Sequence, residues 1–266
     1  MMIALGLMPV LLAATPMVER PPAVVRLVAR NYSIEAPQRV AAGLVPVRLV
    51  NRGEEPHYAR FLKLAPGKTL GDFVALRQQG GRGAEWLVPA GGVAPVSPGD
   101  SAELALRLEP GRYVVLCGYP GRDGRPHVDH GMMTEIVVDP SAGGEATMPR
   151  HDLELRLGDG SMTWSAPPAA GRHTILVGNT GTQTHQALLS RLPDGKTLAD
   201  EKAWFADFRG ERPGAPAGGV IELRPGERVW LTIDLPPGRY ALLCHVSNPG
   251  GGTHFGQDEA TELTVR

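Results

Sequence analysis

The 266-residue chain carries 27 Lys+Arg against 28 Asp+Glu, a net charge of −1 with no clustered cationic stretch, so a nucleic-acid partner has no electrostatic support. Its 34 Gly and 25 Pro separate short runs of Val, Leu and Ile, which suits many turns better than long helices and favours a folded all-β chain. The length allows two domains, each able to bury its own core.

In chain order, Ile3–Ala14 is apolar and too short to span a bilayer, but it suits a signal-peptide core, with Ala13, Ala14 and Thr15 near a cleavage point. Residues 1–22, closed by Pro21-Pro22, are read as signal peptide and linker. This makes the mature protein periplasmic or secreted, with no membrane span after signal removal. Short β-prone runs follow at Val24–Leu27 and Val45–Leu49. Asn51 begins a turn, Pro56 follows, and His57 opens the next segment. Thr69 then precedes Leu70, Phe73, Val74 and Leu76, an apolar stripe that predicts a short helix up to Gln79. Strands resume at Ala102–Leu108, Tyr113–Leu116 and Glu135–Val138, completing a first domain over residues 23–140. A Gly-rich linker occupies 141–147. The second domain, 148–266, repeats the plan with strands at Asp152–Leu157, Thr174–Val177, Arg228–Ile233, Tyr240–Leu243 and Glu262–Val265. Its helical stretch lies between Thr197 and Phe208.

The two halves are copies. Asn51–Leu70 and Asn179–Leu198 share Asn, Gly, His and Gly-Lys-Thr-Leu in register, offset by 128 positions. Ala90-Gly91-Gly92-Val93 matches Ala217-Gly218-Gly219-Val220, and Pro-Gly-Arg-Tyr before Cys117 matches the same four residues before Cys244, both offset by 127. A single one-residue indel relates them, so this is a duplicated domain and not a solenoid.

Chemistry-bearing residues gather at strand ends. The first half reads Asn51-x4-Pro56-His57, then Cys117-x9-His127-x4-Met132. Two imidazoles and a thiolate in a trigonal set, with a weak axial thioether, form the ligand set of an electron-transfer copper site, and such soft donors argue against calcium or magnesium. Taken singly, a strand-end histidine is a solvated side chain and a lone cysteine is core packing. It is the joint order that points to a metal. Met133 competes for the axial place, but Met132 keeps the spacing. His130 reads as a solvent-exposed loop residue.

These residues resemble the cupredoxins, the blue-copper β-sandwich proteins. Asn51-x4-Pro56-His57 is similar to the N-terminal histidine segment of plastocyanin-like members, and Tyr113-x3-Cys117 with His127 and Met132 is similar to their C-terminal ligand loop. The nine residues between Cys117 and His127 bring that loop closer to the first domain of two-domain copper nitrite reductases. The resemblance implies two tandem cupredoxin-like Greek-key sandwiches with short helical insertions. It also implies copper held by His57, Cys117, His127 and Met132, and an imidazole edge near the surface that passes electrons to a redox or copper-exchanging protein partner. The second half retains His185, Cys244 and His254, with Glu259 opposite Met132 and Gln257 as another axial oxygen. Its site reads as either altered or decayed, and His245 as a surface histidine.

Three function classes follow. The leading one is an exported copper protein for electron transfer or copper handling. An alternative is a metal-free binding or structural protein on the same fold. A two-domain copper oxidase or nitrite reductase would need a histidine before the copper cysteine or His-x-His pairs. Leu116 and Leu243 precede the cysteines and no such pair occurs, so the carrier reading leads. A bridge between Cys117 and Cys244 is set aside, because it would require the two strand ends to meet within disulfide distance.

Overall fold

The computed structural model describes residues 24–140, 149–248, 251–257 and 259–266. The signal-peptide expectation for 1–22 and the linker at 141–147 lie outside the described residues. Strand accounts for 52% of the described residues and helix for 11%, so the all-β expectation holds.

The first half contributes β1 (Val25–Arg30), β2 (Ser33–Glu35), β3 (Arg39–Ala41), β4 (Gly43–Asn51), β5 (His57–Leu64), α1 (Leu70–Gln78), β6 (Leu87–Val96), β7 (Ser101–Leu108), β8 (Gly111–Leu116) and β9 (Met133–Asp139). The second contributes β10 (Leu153–Gly158), β11 (Ser161–Trp164), β12 (Gly171–Asn179), β13 (His185–Leu192), α2 (Leu198–Asp207), β14 (Ala215–Leu223), β15 (Arg228–Leu235), β16 (Gly238–Leu243) and β17 (Ala260–Val265). Each helix starts where the repeated Gly-Lys-Thr-Leu places a threonine. Thr69 and Thr197 accept from the amides of Asp72 and Asp200, whose carboxylates bond back to the threonine amides. Such a capping box satisfies the free donors at a helix start.

Two sheets stack face to face and run through both halves. One has the order β11-β10-β12-β15-β7-β4-β1-β2 and the other β17-β16-β13-β14-β6-β5-β8-β9-β3. Alternation of buried and exposed residues, as in Leu27, Ala29, Val47 and Leu49, lines the single core between the layers. The halves join at two antiparallel pairings, β15 with β7 and β14 with β6. Leu104 pairs with Leu231 and Val93 with Val220, and in both cases a residue meets its own counterpart 127 positions later. A local two-fold axis therefore runs through the junction.

The repeated Ala-Gly-Gly-Val marks bulges in the junction strands, where register shifts between His57 and Ala59 and between His185 and Ala187. A Cβ on Gly92 or Gly219 would run into the carbonyl oxygen of Ala59 or Ala187, so only glycine permits the strands to close there. The repeated Pro-Gly-Arg-Tyr also has a structural cause. Tyr113 donates its hydroxyl to the Glu109 carbonyl at 2.9 Å, and Tyr240 donates to that of Pro236 at 2.7 Å. Each ring is buried and pins the turn that leads into the cysteine strand. Among the described residues no helix is long and apolar enough to cross a membrane.

Candidate metal centre

Three strand ends build the first site. Strand β4 ends on Asn51, whose buried side chain holds the turn to β5. Its Oδ1 accepts from the Gly53 amide at 2.8 Å, and its Nδ2 donates to the carbonyls of Glu55 (2.8 Å) and Val96 (2.9 Å). That turn delivers His57 at the start of β5. Strand β8 delivers Cys117 one residue beyond its end, and the following loop closes in a single 3-10 turn, His127–His130. The loop is fastened to the site by its backbone: the Cys117 amide donates to the Met132 carbonyl and the Met132 amide to the His127 carbonyl, both at 3.1 Å.

His57, Cys117, His127 and Met132 all have no exposed surface. The two Nδ1 atoms lie 3.0 Å apart, and Cys117 Sγ is 3.9 Å from that of His57 and 3.6 Å from that of His127. A circle through these three atoms has a radius of about 2 Å, close to metal–imidazole and metal–thiolate bond lengths. The donors thus fit one transition-metal ion bound through both Nδ1 atoms. The outward Nε2 atoms of His57 and His127 are buried without a hydrogen-bond partner, though Glu55 Oε2 lies 3.4 Å from that of His127. Met132 packs in the core cluster that contains Cys117, whereas Met133 lies against the α1 cluster of Leu62, Phe73 and Leu116. Met132 thus lies on the core side with Cys117, and Met133 on the helix side.

Without a cation this pocket is neutral. Burial pushes the Cys117 thiol up to about 12, partly offset by amides from Tyr58 and Tyr119. Burial, then the charge of His127, brings His57 down to about 4. Burial lowers His127 as well, against the pull of Glu55. A bound cation is what would convert the thiol to thiolate, releasing its proton.

The second site has the same frame. Asn179 accepts from the Gly181 amide and donates to the carbonyls of Gln183 and Leu223. His185 and His254 Nδ1 are 3.2 Å apart, and Cys244 Sγ lies 4.0 and 3.5 Å from them. The Cys244 amide donates to Glu259 and the Glu259 amide to His254, the pattern Met132 shows in the first half, so Glu259 occupies the equivalent position. Its carboxylate is buried among the donors, with Oε2 2.7 Å from His185 Nδ1 and 3.1 Å from His254 Nδ1. The Gln257 side chain lies outside the described residues.

Two sequence readings need correction. Both first-site imidazoles are buried; Tyr32 meets His127 edge-on at 5.4 Å between ring centroids, and Tyr119 also flanks it at 6.0 Å. His130 is not a free loop residue, because it stacks on Tyr32 at 4.5 Å and pairs with Asp123 at 2.9 Å. His245 is not a surface histidine but packs among Phe205, Phe208 and Phe255. Trp204 of the same cluster stacks on Tyr119 across the junction, 6.1 Å between centroids. Sequence reasoning also missed Asn31, Glu55 and Asp159, acceptors in turns beside the histidines. Asn31 and Asp159 are equivalent under the 128-residue offset, and only that alignment could have found them. Cys117 and Cys244 are both free.

No family model matches the sequence, and a search of curated proteins returns no match. Among solved structures the chain is similar to reduced auracyanin from Roseiflexus castenholzii, with 20% identity over 42% of this chain and 94% of that one and a TM-score of 0.31. It is similar to the Cu-containing nitrite reductase from Thermus scotoductus SA-01, with 14% identity over 92% of this chain and 61% of that one and a TM-score of 0.26. Copper nitrite reductase from Nitrosomonas europaea gives 15% identity over 91% and 93% and a TM-score of 0.25.

Proposed function

We propose that the protein is an exported copper carrier whose first half holds one ion through His57, His127 and Cys117, with Met132 on the axis. It would exchange one electron, or the ion itself, with a protein partner. The observation that carries this reading is the convergence of two buried Nδ1 atoms and one buried Sγ around a point about 2 Å from each. Three strong donors with a thioether position, and no fourth strong donor among the described residues, suit copper better than zinc, which takes four. Bound copper supplies a one-electron couple.

The chain's own residues supply the rest. Both imidazoles stay neutral and offer lone pairs, and Cys117 yields its proton when the ion binds. The Tyr58 amide, 3.5 Å from Cys117 Sγ, favours the thiolate once it forms. Asn51 fixes the His57 turn, and the Glu55 carboxylate lies 3.4 Å from His127 Nε2. Export is supported by the apolar Ile3–Ala14 segment.

Titration of the full chain with Cu(II) tests the reading. In Cys244→Ser protein, where only the first centre keeps its thiolate, one equivalent produces a thiolate charge-transfer band, and adding Cys117→Ser removes it. A folded protein that stays colourless under oxidising conditions would sink it.

A further inference from the structure

The two centres share a frame but differ in charge. In the first, the inward-facing donors are two neutral imidazoles and one sulfur, so a bound thiolate contributes a single negative charge. In the second, the Glu259 carboxylate, 2% exposed, sits within 2.7 and 3.1 Å of the two Nδ1 atoms and adds a second charge. The layer outside is balanced. Glu55 faces His127 Nε2 at 3.4 Å in the first half, and Asp159 Oδ1 faces His185 Nε2 at 3.0 Å in the second. The counterparts of those two, Gln183 and Asn31, are neutral. Each centre therefore has one outer carboxylate on one histidine, and the inner difference of one charge stands uncompensated.

We propose that His185, Cys244, His254 and Glu259 form a second metal site that takes a divalent ion and resists a monovalent one. The four donor atoms lie within 4.8 Å of one another and all four residues are buried. The three inner atoms of His185, His254 and Cys244 again lie on a circle of about 2 Å radius, and the carboxylate adds the fourth donor that zinc-like ions require. A net charge is costly in a dry interior. Thiolate plus carboxylate neutralises a divalent ion, whereas a monovalent ion would leave one negative charge buried. In the first centre the thiolate alone neutralises Cu(I) and leaves Cu(II) one positive charge in excess. The site is also prebuilt. Asp159 holds His185 by Nε2, the Gly160 amide holds Glu259 Oε1 at 3.0 Å, and the Gln186 amide points at Cys244 Sγ at 3.2 Å. This inference does not depend on copper in the first half.

The test uses full-length Cys117→Ser protein, which isolates the second centre, titrated with Co(II) and Zn(II) and separately with Cu(I). One equivalent of Co(II) gives a thiolate charge-transfer band that Cys244→Ser removes, and Zn(II) displaces the cobalt. Glu259→Gln weakens Co(II) and Zn(II) binding about a hundredfold and leaves Cu(I) binding unchanged or tighter. Glu259→Met, which copies the first centre, moves the preference toward Cu(I) without the amide's polar demand, and so decides the matter if the glutamine variant folds poorly. Absence of a cobalt band in folded Cys117→Ser protein overturns the site. A band insensitive to both Glu259 variants overturns the charge matching. The first-half reading fails separately, through loss of colour in Cys244→Ser protein.

Discussion

Arg60 on β5 and Glu222 on β14 form a two-pronged ion pair across the junction of the halves, with Arg60 Nε 2.8 Å from Glu222 Oε2. The two-fold relation does not reproduce it, because the counterparts are Leu188 and Pro95. Glu222 also holds a left-handed backbone at φ 54°, a conformation that costs a side-chain-bearing residue about 1 kcal/mol relative to glycine. Glu222→Ala therefore loses the pair and keeps the strain, lowering stability by about 1 kcal/mol. Glu222→Gly loses the pair and relieves the strain, with a net change of about zero. Urea melts of the two variants check this, and equal destabilisation would show that strain plays no part.

Metal-free protein weakens in mild acid. His57 titrates at about 4 when folded against 6.5 in the open chain, so between those values the unfolded state binds more protons. Stability is then full above pH 6.5 and falls as pH drops toward 4, by about 3 kcal/mol from this group alone. His127 is shifted in the same direction. Chemical melts from pH 7.5 to 4.5 on chelator-treated protein give the slope, and His57→Gln flattens it. An unchanged slope in that variant would place the acid sensitivity elsewhere.

The turn before His57 controls metal affinity through two residues that touch no metal. Asn51→Asp puts a carboxylate against the carbonyls of Glu55 and Val96, to which the amide now donates. This costs about 1–3 kcal/mol of stability. Gly53→Ala places a methyl against His57 Nε2, which tilts the ring and reduces Cu(I) affinity about 10–100-fold. Urea melts of metal-free protein measure the first loss, and competition with a Cu(I) chelator measures the second. If Gly53→Ala binds as tightly as the parent, the His57 ring is not held where its Nδ1 faces Cys117.

How much of this was legible varies by element. The apolar runs at Val45–Leu49, Ala102–Leu108 and Tyr113–Leu116 lie inside β4, β7 and β8, because alternating burial in β4 and a continuous buried run in β8 both leave a plain apolar pattern. Both helices were legible from one threonine and the spacing after it. Strands β6 and β14 were not, since Leu87–Val96 and Ala215–Leu223 carry proline and paired glycines that read as loop, yet they fill the centre of a sheet. Proximity of the imidazoles to Cys117 and Cys244 followed from motif order. The shielding of His127 by Tyr32 did not, because Tyr32 reaches it from a tight turn at φ 61°. No local pattern encodes a contact between residues 95 positions apart.

The pairing of Leu104 with Leu231, and of Val93 with Val220, has a consequence for quaternary structure. When each residue meets its own counterpart about a two-fold axis, the contact is isologous, the kind by which two identical subunits close a dimer. A single half would leave β6 and β7 as open edges, each offering a row of unpaired amides and carbonyls to another copy. The contact between the halves thus has the form of a homodimer joined through those edges, with its subunits tied end to end. Tying freed the two copies to diverge, which a symmetric dimer of one gene product cannot do. Met132 on one side and Glu259 on the other record that freedom.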